Sequence, residues 1–158
     1  MTLTQTLLEG NRTYQHEGPP GGLSAVPSRA LAVVTCMDVR IDPAKVLGLS
    51  LGEAHIIRNA GARVTPDVVR SLAISQQILG TRAVVVMPHT QCGMLGLDPH
   101  RIKARERTES PMDWRIINDL ANDLQEDLNT LRYNPWIGDD VEIVGLVYDV
   151  QSGAVRSV

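Results

Sequence analysis

The stretch Ala30-Leu31-Ala32-Val33-Val34-Thr35-Cys36-Met37-Asp38-Val39-Arg40 decides the fold. Its first half is an apolar run of the kind that fills a strand buried on both faces. Its second half places a thiol, a carboxylate and a guanidinium at every second position. On an extended backbone alternate residues point to the same side, so Cys36, Asp38 and Arg40 are expected to converge on one pocket. A second run, Ala83-Val84-Val85-Val86, leads in the same way into His89-Thr90-Gln91-Cys92-Gly93. Two cysteines and a histidine at the ends of two buried strands suggest one metal site.

Between these runs the chain alternates strand and helix signals. Asp42-Pro43 reads as an N-cap with proline in the first turn, opening a short helix that ends near Gly48 or Gly52. His55-Ile56-Ile57-Arg58 reads as a second strand, and Thr65-Pro66-Asp67 repeats the cap-proline signal for a helix through Leu79. Val68, Val69, Leu72, Ile74 and Ile78 give that helix its apolar surface. Asp98 to Glu109 is charged and irregular. Ser110 is expected to cap a long helix whose buried stripe runs through Ile116, Ile117, Leu120, Leu124, Leu128 and Leu131. Asp119, Asp123 and Asp127, four apart, read as a solvated acidic face on it. Val141 to Tyr148 makes a fourth strand, and the turn signal Gln151-Ser152-Gly153 allows an edge hairpin after it. Ahead of all this, Leu3, Leu7 and Leu8 lie on one face of a helix over Thr2 to Glu17. Its apolar face is narrow, suited to an edge or to another subunit. The fold expected is α/β: a mostly parallel four-stranded central sheet flanked by helices, with a C-terminal edge strand, in one domain spanning residues 1–158.

The composition narrows the function classes. With 43% hydrophobic residues, 3% aromatics and no Phe among 158 residues, the core has to be aliphatic, which suits a helix-covered parallel sheet. A net charge of -3 gives no footprint for nucleic acid or an anionic membrane surface. There is no apolar run long enough to span a bilayer, and Met1-Thr2-Leu3-Thr4-Gln5 lacks the start of a signal peptide, so the expected location is cytoplasmic. Two cysteines are too few for a disulfide framework, and a reducing compartment favours a metal or catalytic use for them.

His89 and Cys92 are three apart, a spacing that brings two donors from one loop onto one ion, and Cys36 adds a third. Thiolate and imidazole donors select zinc over magnesium or calcium. Three protein ligands leave a coordination position open, the mark of a catalytic rather than a structural site. Asp38 has two readings: a fourth ligand that closes the site, or a carboxylate clamped off the metal by Arg40 through a bidentate pair.

Taken together, Cys36-x-Asp38-x-Arg40, Arg58-Asn59-Ala60-Gly61 and His89-x-x-Cys92-Gly93 resemble the β-class carbonic anhydrases, in order and in spacing. The likeness runs from about Ala30 to Met94, and Val147-Tyr148-Asp149-Val150 is similar to that family's last strand. The resemblance implies Cys36, His89 and Cys92 as zinc ligands and Asp38–Arg40 as the catalytic dyad. It also implies an obligate dimer, or a multiple of dimers, with the active site at the subunit interface. The reaction implied is reversible hydration of carbon dioxide to bicarbonate and a proton by zinc-bound hydroxide. Asn59, Ala60 and Gly61 are expected to wall the substrate pocket, and His55 is one proton-shuttle candidate. Two positions depart from the family pattern. Pro88 stands where many members keep a free N–H. Val33 stands where members with an allosteric bicarbonate site carry tryptophan, so that site is not expected here.

Two other readings compete. A hydrolase of carbonyl sulfide or carbon disulfide would use the same scaffold, since both molecules are linear like carbon dioxide. A non-catalytic zinc module is the other, but it has no use for the Asp38–Arg40 pair.

Overall fold

The computed structural model describes residues 1–18, 21–103 and 112–158. The first helix, α1 (Leu3–Glu17), begins with a full capping box: the Thr2 hydroxyl accepts from the Gln5 N–H while the Gln5 side chain accepts from the Thr2 N–H. None of its residues is buried, Leu3, Leu7 and Leu8 included. There follow β1 (Leu31–Cys36), α2 (Pro43–Leu47), β2 (Ala54–Asn59), α3 (Pro66–Gln77), β3 (Ala83–Met87), α4 (Leu120–Arg132), β4 (Glu142–Tyr148) and β5 (Val155–Ser157). Both cap-proline signals hold. Asp42 accepts from the Lys45 N–H and Thr65 from the Val68 N–H, with proline opening each helix.

The sheet order is β2-β1-β3-β4-β5. The first four strands are parallel and β5 runs antiparallel to β4, forming the expected edge hairpin. From β1 the chain passes through α2 to β2 on one side, then returns through α3 to β3 on the other. The winding therefore reverses between β1 and β3, whose neighbouring carboxyl ends form the crevice where ligands bind in such sheets. Cys36 closes β1, and His89 follows β3 by two residues.

Two apolar clusters hold the layers. On one face Ala32, Val34, Val84 and Val86 pack with Val68 and Leu72 of α3 and Leu124, Leu128 and Leu131 of α4. Beside the carboxyl ends, Cys36, Ile41, Met87, Cys92, Ile117 and Tyr148 form the second cluster, joined by Val46 and Leu47 of α2. In α3 the buried stripe is narrower than the apolar pattern suggests. Ile74 and Ile78 are exposed, while Ser75 and Gln76 are buried. Polar partners make that possible: Ser75 Oγ lies 2.6 Å from Thr81 Oγ1, and Gln76 Oε1 accepts from the Gly138 N–H.

The last helix corrects the sequence reading in two ways. Ser110 and Pro111 lie outside the described residues, but α4 itself begins only at Leu120, capped by Asp119, whose carboxylate accepts from the N–H groups of Ala121 and Asn122. Ile117 is buried, as the periodicity requires, yet it sits in an extended segment that bridges to Leu95. Nor do the three aspartates form one solvated face, since of them only Asp119 is exposed. Asp127 is 1% exposed, and both Asp123 and Asp127 pair with Arg63.

Candidate metal centre

The chain does not remain extended through Asp38 and Arg40. β1 ends at Cys36, and the backbone turns, with the Ile41 N–H bonded to Asp38 O and the Arg40 N–H to Asp38 Oδ1. The turn, rather than strand alternation, brings the three side chains to one place. Arg58 holds it from β2: its Nε donates to Cys36 O at 3.0 Å and its Nη2 to Asp38 O at 2.7 Å.

Among the described residues, the groups able to hold a metal ion include Cys36, His89 and Cys92, all three buried, with their ligand atoms within 4.8 Å of one another. The two thiols are free and their sulfurs stand 3.9 Å apart. Tetrahedral zinc with Zn–S bonds of ~2.3 Å separates two sulfurs by roughly 3.8 Å, so the pair is already spaced for that ion. His89 is 0% exposed. Its Nδ1 lies 2.8 Å from Thr90 O, which only a ring N–H can satisfy, so the lone pair is on Nε2. Among the described residues that Nε2 is buried without a hydrogen-bond partner, an expensive arrangement unless a cation takes it.

A backbone N–H reaches one of the two sulfurs. The Gly61 N–H donates to Cys36 Sγ at 3.4 Å. The Cys36 thiol is drawn down to about 4, first by the Cys92 thiol and then by His89 and this N–H, against the opposing effect of burial. Cys92 is pushed up by the same Cys36 contact and by burial, so the pair shares one proton between two sulfurs. Such a donor set binds a soft divalent cation by releasing that proton.

Asp38 stands beside this cluster, its Oδ2 3.7 Å from His89 Nε2. Both its oxygens are engaged by Arg40, with Nε at 2.9 Å from Oδ1 and Nη2 at 2.6 Å from Oδ2. Arg40 Nη2 also donates to Gln91 O at 3.2 Å, which ties the pair to the second metal loop. The Arg40 side-chain and backbone bonds hold the Asp38 carboxyl well below the usual carboxylate range.

Gly61 has φ +83°, which favours glycine, and a Cβ there would crowd Ile117 Cδ1 at 3.1 Å and Met94 Cγ at 3.2 Å. Asn59, expected in the pocket wall, turns its side chain elsewhere: Nδ2 donates to Arg63 O at 2.7 Å and Oδ1 accepts from the Arg63 N–H at 3.0 Å. His55 is not at the site. It pairs with Ala32 near the start of β1, and its ring is held by Ser75 Oγ and Ala25 O.

The supports of the site carry little sequence signal. Thr35 is fully buried and donates to Met87 O, locking β1 to β3 just before both loops. Thr90 takes the Val150 N–H on its hydroxyl, and its own N–H goes to Tyr148 O, so the metal loop rests on the end of β4. Pro88, which lacks an N–H, still accepts from the Tyr148 N–H.

A sequence model of the carbonic anhydrase family matches residues 31–132. The chain is 40% identical over 162 residues to β-carbonic anhydrase 1 of Mycobacterium tuberculosis, covering 100% of this chain and 99% of the relative. The chain belongs to the β-carbonic anhydrase family. Its fold superposes on the crystal structure of carbonic anhydrase from Streptococcus mutans with a TM-score of 0.90 at 37% identity, covering 100% of this chain and 98% of that one. A carbon disulfide hydrolase of Acidianus sp. is more distant, 31% identical over 157 residues, covering 82% of this chain and 77% of the relative. Within the β-carbonic anhydrase family zinc is the metal, and the buried Cys36, His89 and Cys92 donors fit it.

Proposed function

We propose that this chain is a zinc-dependent carbonic anhydrase that interconverts carbon dioxide and bicarbonate, with Cys36, His89 and Cys92 as the protein ligands. The observation that carries this is the pairing of a buried Cys-His-Cys donor set with a clamped carboxylate, Asp38, 3.7 Å from the ligand histidine. Zinc bound there supplies a Lewis acid that makes water a nucleophile near neutral pH.

The chain's own residues do the rest. Asp38, ionised throughout the working range, accepts a hydrogen bond from the attacking water and aims its lone pair at the substrate carbon. Arg40 occupies both Asp38 oxygens, and that pairing holds the carboxylate off the metal rather than as a fourth ligand. Ala60 and Gly61 wall the pocket, with Asn59 shaping the turn from behind. Carbon dioxide is uncharged, so an apolar wall suffices for it. With His55 at the opposite end of the sheet, the released proton passes to buffer.

Residues 1–158 work as one domain, in a homodimer or a multiple of dimers. Two features support this. Met37 and Val39, on either side of Asp38, are 64% and 97% exposed, and the apolar face of α1 is bare. A second copy covering them would close the mouth of the site. A cytoplasmic location agrees with the two free thiols. No helix among the described residues is long and apolar enough to cross a membrane.

Stopped-flow hydration of carbon dioxide by metal-quantified protein tests the assignment. Turnover with one zinc per chain is expected, and full zinc with no hydration refutes it. Sulfide release from carbonyl sulfide or carbon disulfide, faster than hydration, would replace it with the hydrolase.

A further inference from the structure

The carbonic anhydrase reading leaves unexplained why a cationic side chain is buried beneath the metal centre. Arg63 is 3% exposed. Its Nε donates to Asp127 Oδ2 at 2.7 Å and its Nη1 to Asp123 Oδ1 at 2.6 Å, with a further bond to Ile116 O. Asp127 also takes Arg115 Nη2 at 2.7 Å. The second oxygen of Asp123 accepts the N–H groups of Asn118 and Asp119, at the start of α4. The guanidinium is thus fixed in three directions by groups that are themselves fixed.

What Arg63 fixes in turn is the Asn59–Arg63 turn. The Asn59 amide brackets it, bonding both the N–H and the carbonyl of Arg63. Inside the bracket Gly61 and Ala62 have φ +83° and +60°. Ala62 is a residue with a Cβ in the left-handed region, a conformation that persists only where its surroundings impose it. At the head of those two left-handed residues the Gly61 N–H meets Cys36 Sγ, 3.4 Å away. The same turn meets the other metal arm, because Gly61, Ala62, Pro88 and Asp127 line one small recess.

We propose that Arg63 is a positioning residue for the metal centre: anchored by Asp123 and Asp127, it holds the strained turn that keeps the Gly61 N–H on the Cys36 sulfur. The inference rests on Cys36 being a zinc ligand. An N–H donated to a thiolate withdraws negative charge from it, so losing that bond makes the sulfur a stronger donor and the metal a weaker acid. The Asp127 side of α4 therefore tunes a reaction it never touches.

Arg63→Lys tests this, because lysine keeps the charge that Asp127 needs but lacks the fork that reaches both aspartates. Expected are a fall in kcat/KM of at least about ten-fold near neutral pH, carried by kcat, and an upward shift of the alkaline limb by roughly one pH unit. The cobalt(II)-substituted protein should show shifted sulfur-to-metal charge-transfer bands. That readout is independent of carbon dioxide turnover, so it separates failure of this proposal from failure of the assigned activity. Asp123→Asn, which weakens only one anchor, should move the same readouts in the same direction by less, and it serves where Arg63→Lys does not fold. A purely structural Arg63 would lower the melting temperature alone. Cobalt bands and a pH limb superposing on those of the parent protein, in the folded variants, overturn the proposal.

Discussion

Arg40 grips Asp38 by both oxygens, at 2.9 and 2.6 Å, and by its own backbone N–H at 2.9 Å. Three donors from one residue leave the carboxylate no freedom to swing. Replacing Asp38 with Asn preserves the shape but removes the charge proposed to accept the hydrogen bond of the attacking water. For Asp38→Asn we expect unchanged zinc content and a loss of about 10²-fold or more in kcat, the scale of one lost preorganised polar contact to the reacting group. Arg40→Ala should fail differently. Asp38 is then free to approach the metal, so zinc should be retained more tightly against chelators while hydration falls. Metal analysis beside stopped-flow kinetics checks both, and zinc loss in Asp38→Asn would show that the carboxylate holds the metal.

The pH profile follows from the charges on the ligands. Two thiolates cancel the formal charge of zinc, and the Asp38 carboxylate, held far below its usual range by Arg40, adds a negative charge nearby. Both make the attacking water less acidic than a neutral ligand set would. Because Asp38 is already ionised at any working pH, it contributes no limb of its own. We expect kcat/KM to rise from about pH 7 into the alkaline range, measured by stopped flow in buffers of matched ionic strength. A profile already flat from about pH 6 contradicts this account.

Removing the metal should also cost stability. Among the described residues His89 Nε2 is buried with no hydrogen-bond partner, and it stands with the two sulfurs as one donor set. A ligand that binds only the folded chain stabilises it by RT ln(1 + [L]/Kd), which is about 4 kcal/mol at a thousand-fold excess over Kd. Chelation should therefore lower the melting temperature, with recovery on adding zinc. Cys92→Ser should melt like the chelated parent and be insensitive to chelator, as calorimetry would read directly.

The same site shows what a single sequence carries and what it hides. β1 and β3 are legible because their residues are apolar on both faces, and the caps at Asp42 and Thr65 because a short polar side chain before proline has few other uses. Cys36, His89 and Cys92 are legible because soft donors are rare in this chain. The start of α4 is not. Ile116 and Ile117 continue its apolar period, yet the Ile117 backbone is spent on Met94 and Gly96, bonds the sequence cannot display. Asp123 and Asp127 read as solvated because their partner, Arg63, lies some sixty residues earlier and is recognisable only once α4 is laid against the turn after β2.

That ion cluster makes an acid-stability prediction. Burial works to raise the Asp123 carboxyl, but the N–H groups of Asp119 and Asn118 and the Arg63 guanidinium outweigh it, and the net shift is downward. A carboxyl whose folded pKa lies below its unfolded value stabilises the fold above the unfolded pKa of about 3.9. The contribution is lost as pH falls through the folded pKa. Urea midpoints should accordingly drop more steeply below about pH 4 in the parent than in Asp123→Asn, which starts lower and changes less. Arg63→Ala should be worse at every pH, by roughly 1.5–3 kcal/mol, because it leaves the buried Asp127 with Arg115 alone. Equal acid slopes in parent and Asp123→Asn would remove this cluster as the cause.

The final prediction concerns α1, which is capped at its start yet buries none of its fifteen residues. An isolated helix of that length is marginal in water, so a capping box alone does not account for it. Its apolar residues Leu3, Leu7 and Leu8 are 76%, 64% and 53% exposed, and a second copy of the chain is the partner that the proposed dimer supplies. Leu7→Asp places a charge in the middle of that stripe, away from the metal centre and from the 59–63 turn. If α1 packs on the second copy, the variant should shift toward monomer in sedimentation velocity and lose helical signal. Because Met37 and Val39 would then lie bare beside Asp38, hydration should fall with dimer content and recover at high protein concentration. An intact dimer in Leu7→Asp would place the interface elsewhere, and a monomer of full activity would show that each chain completes its own site.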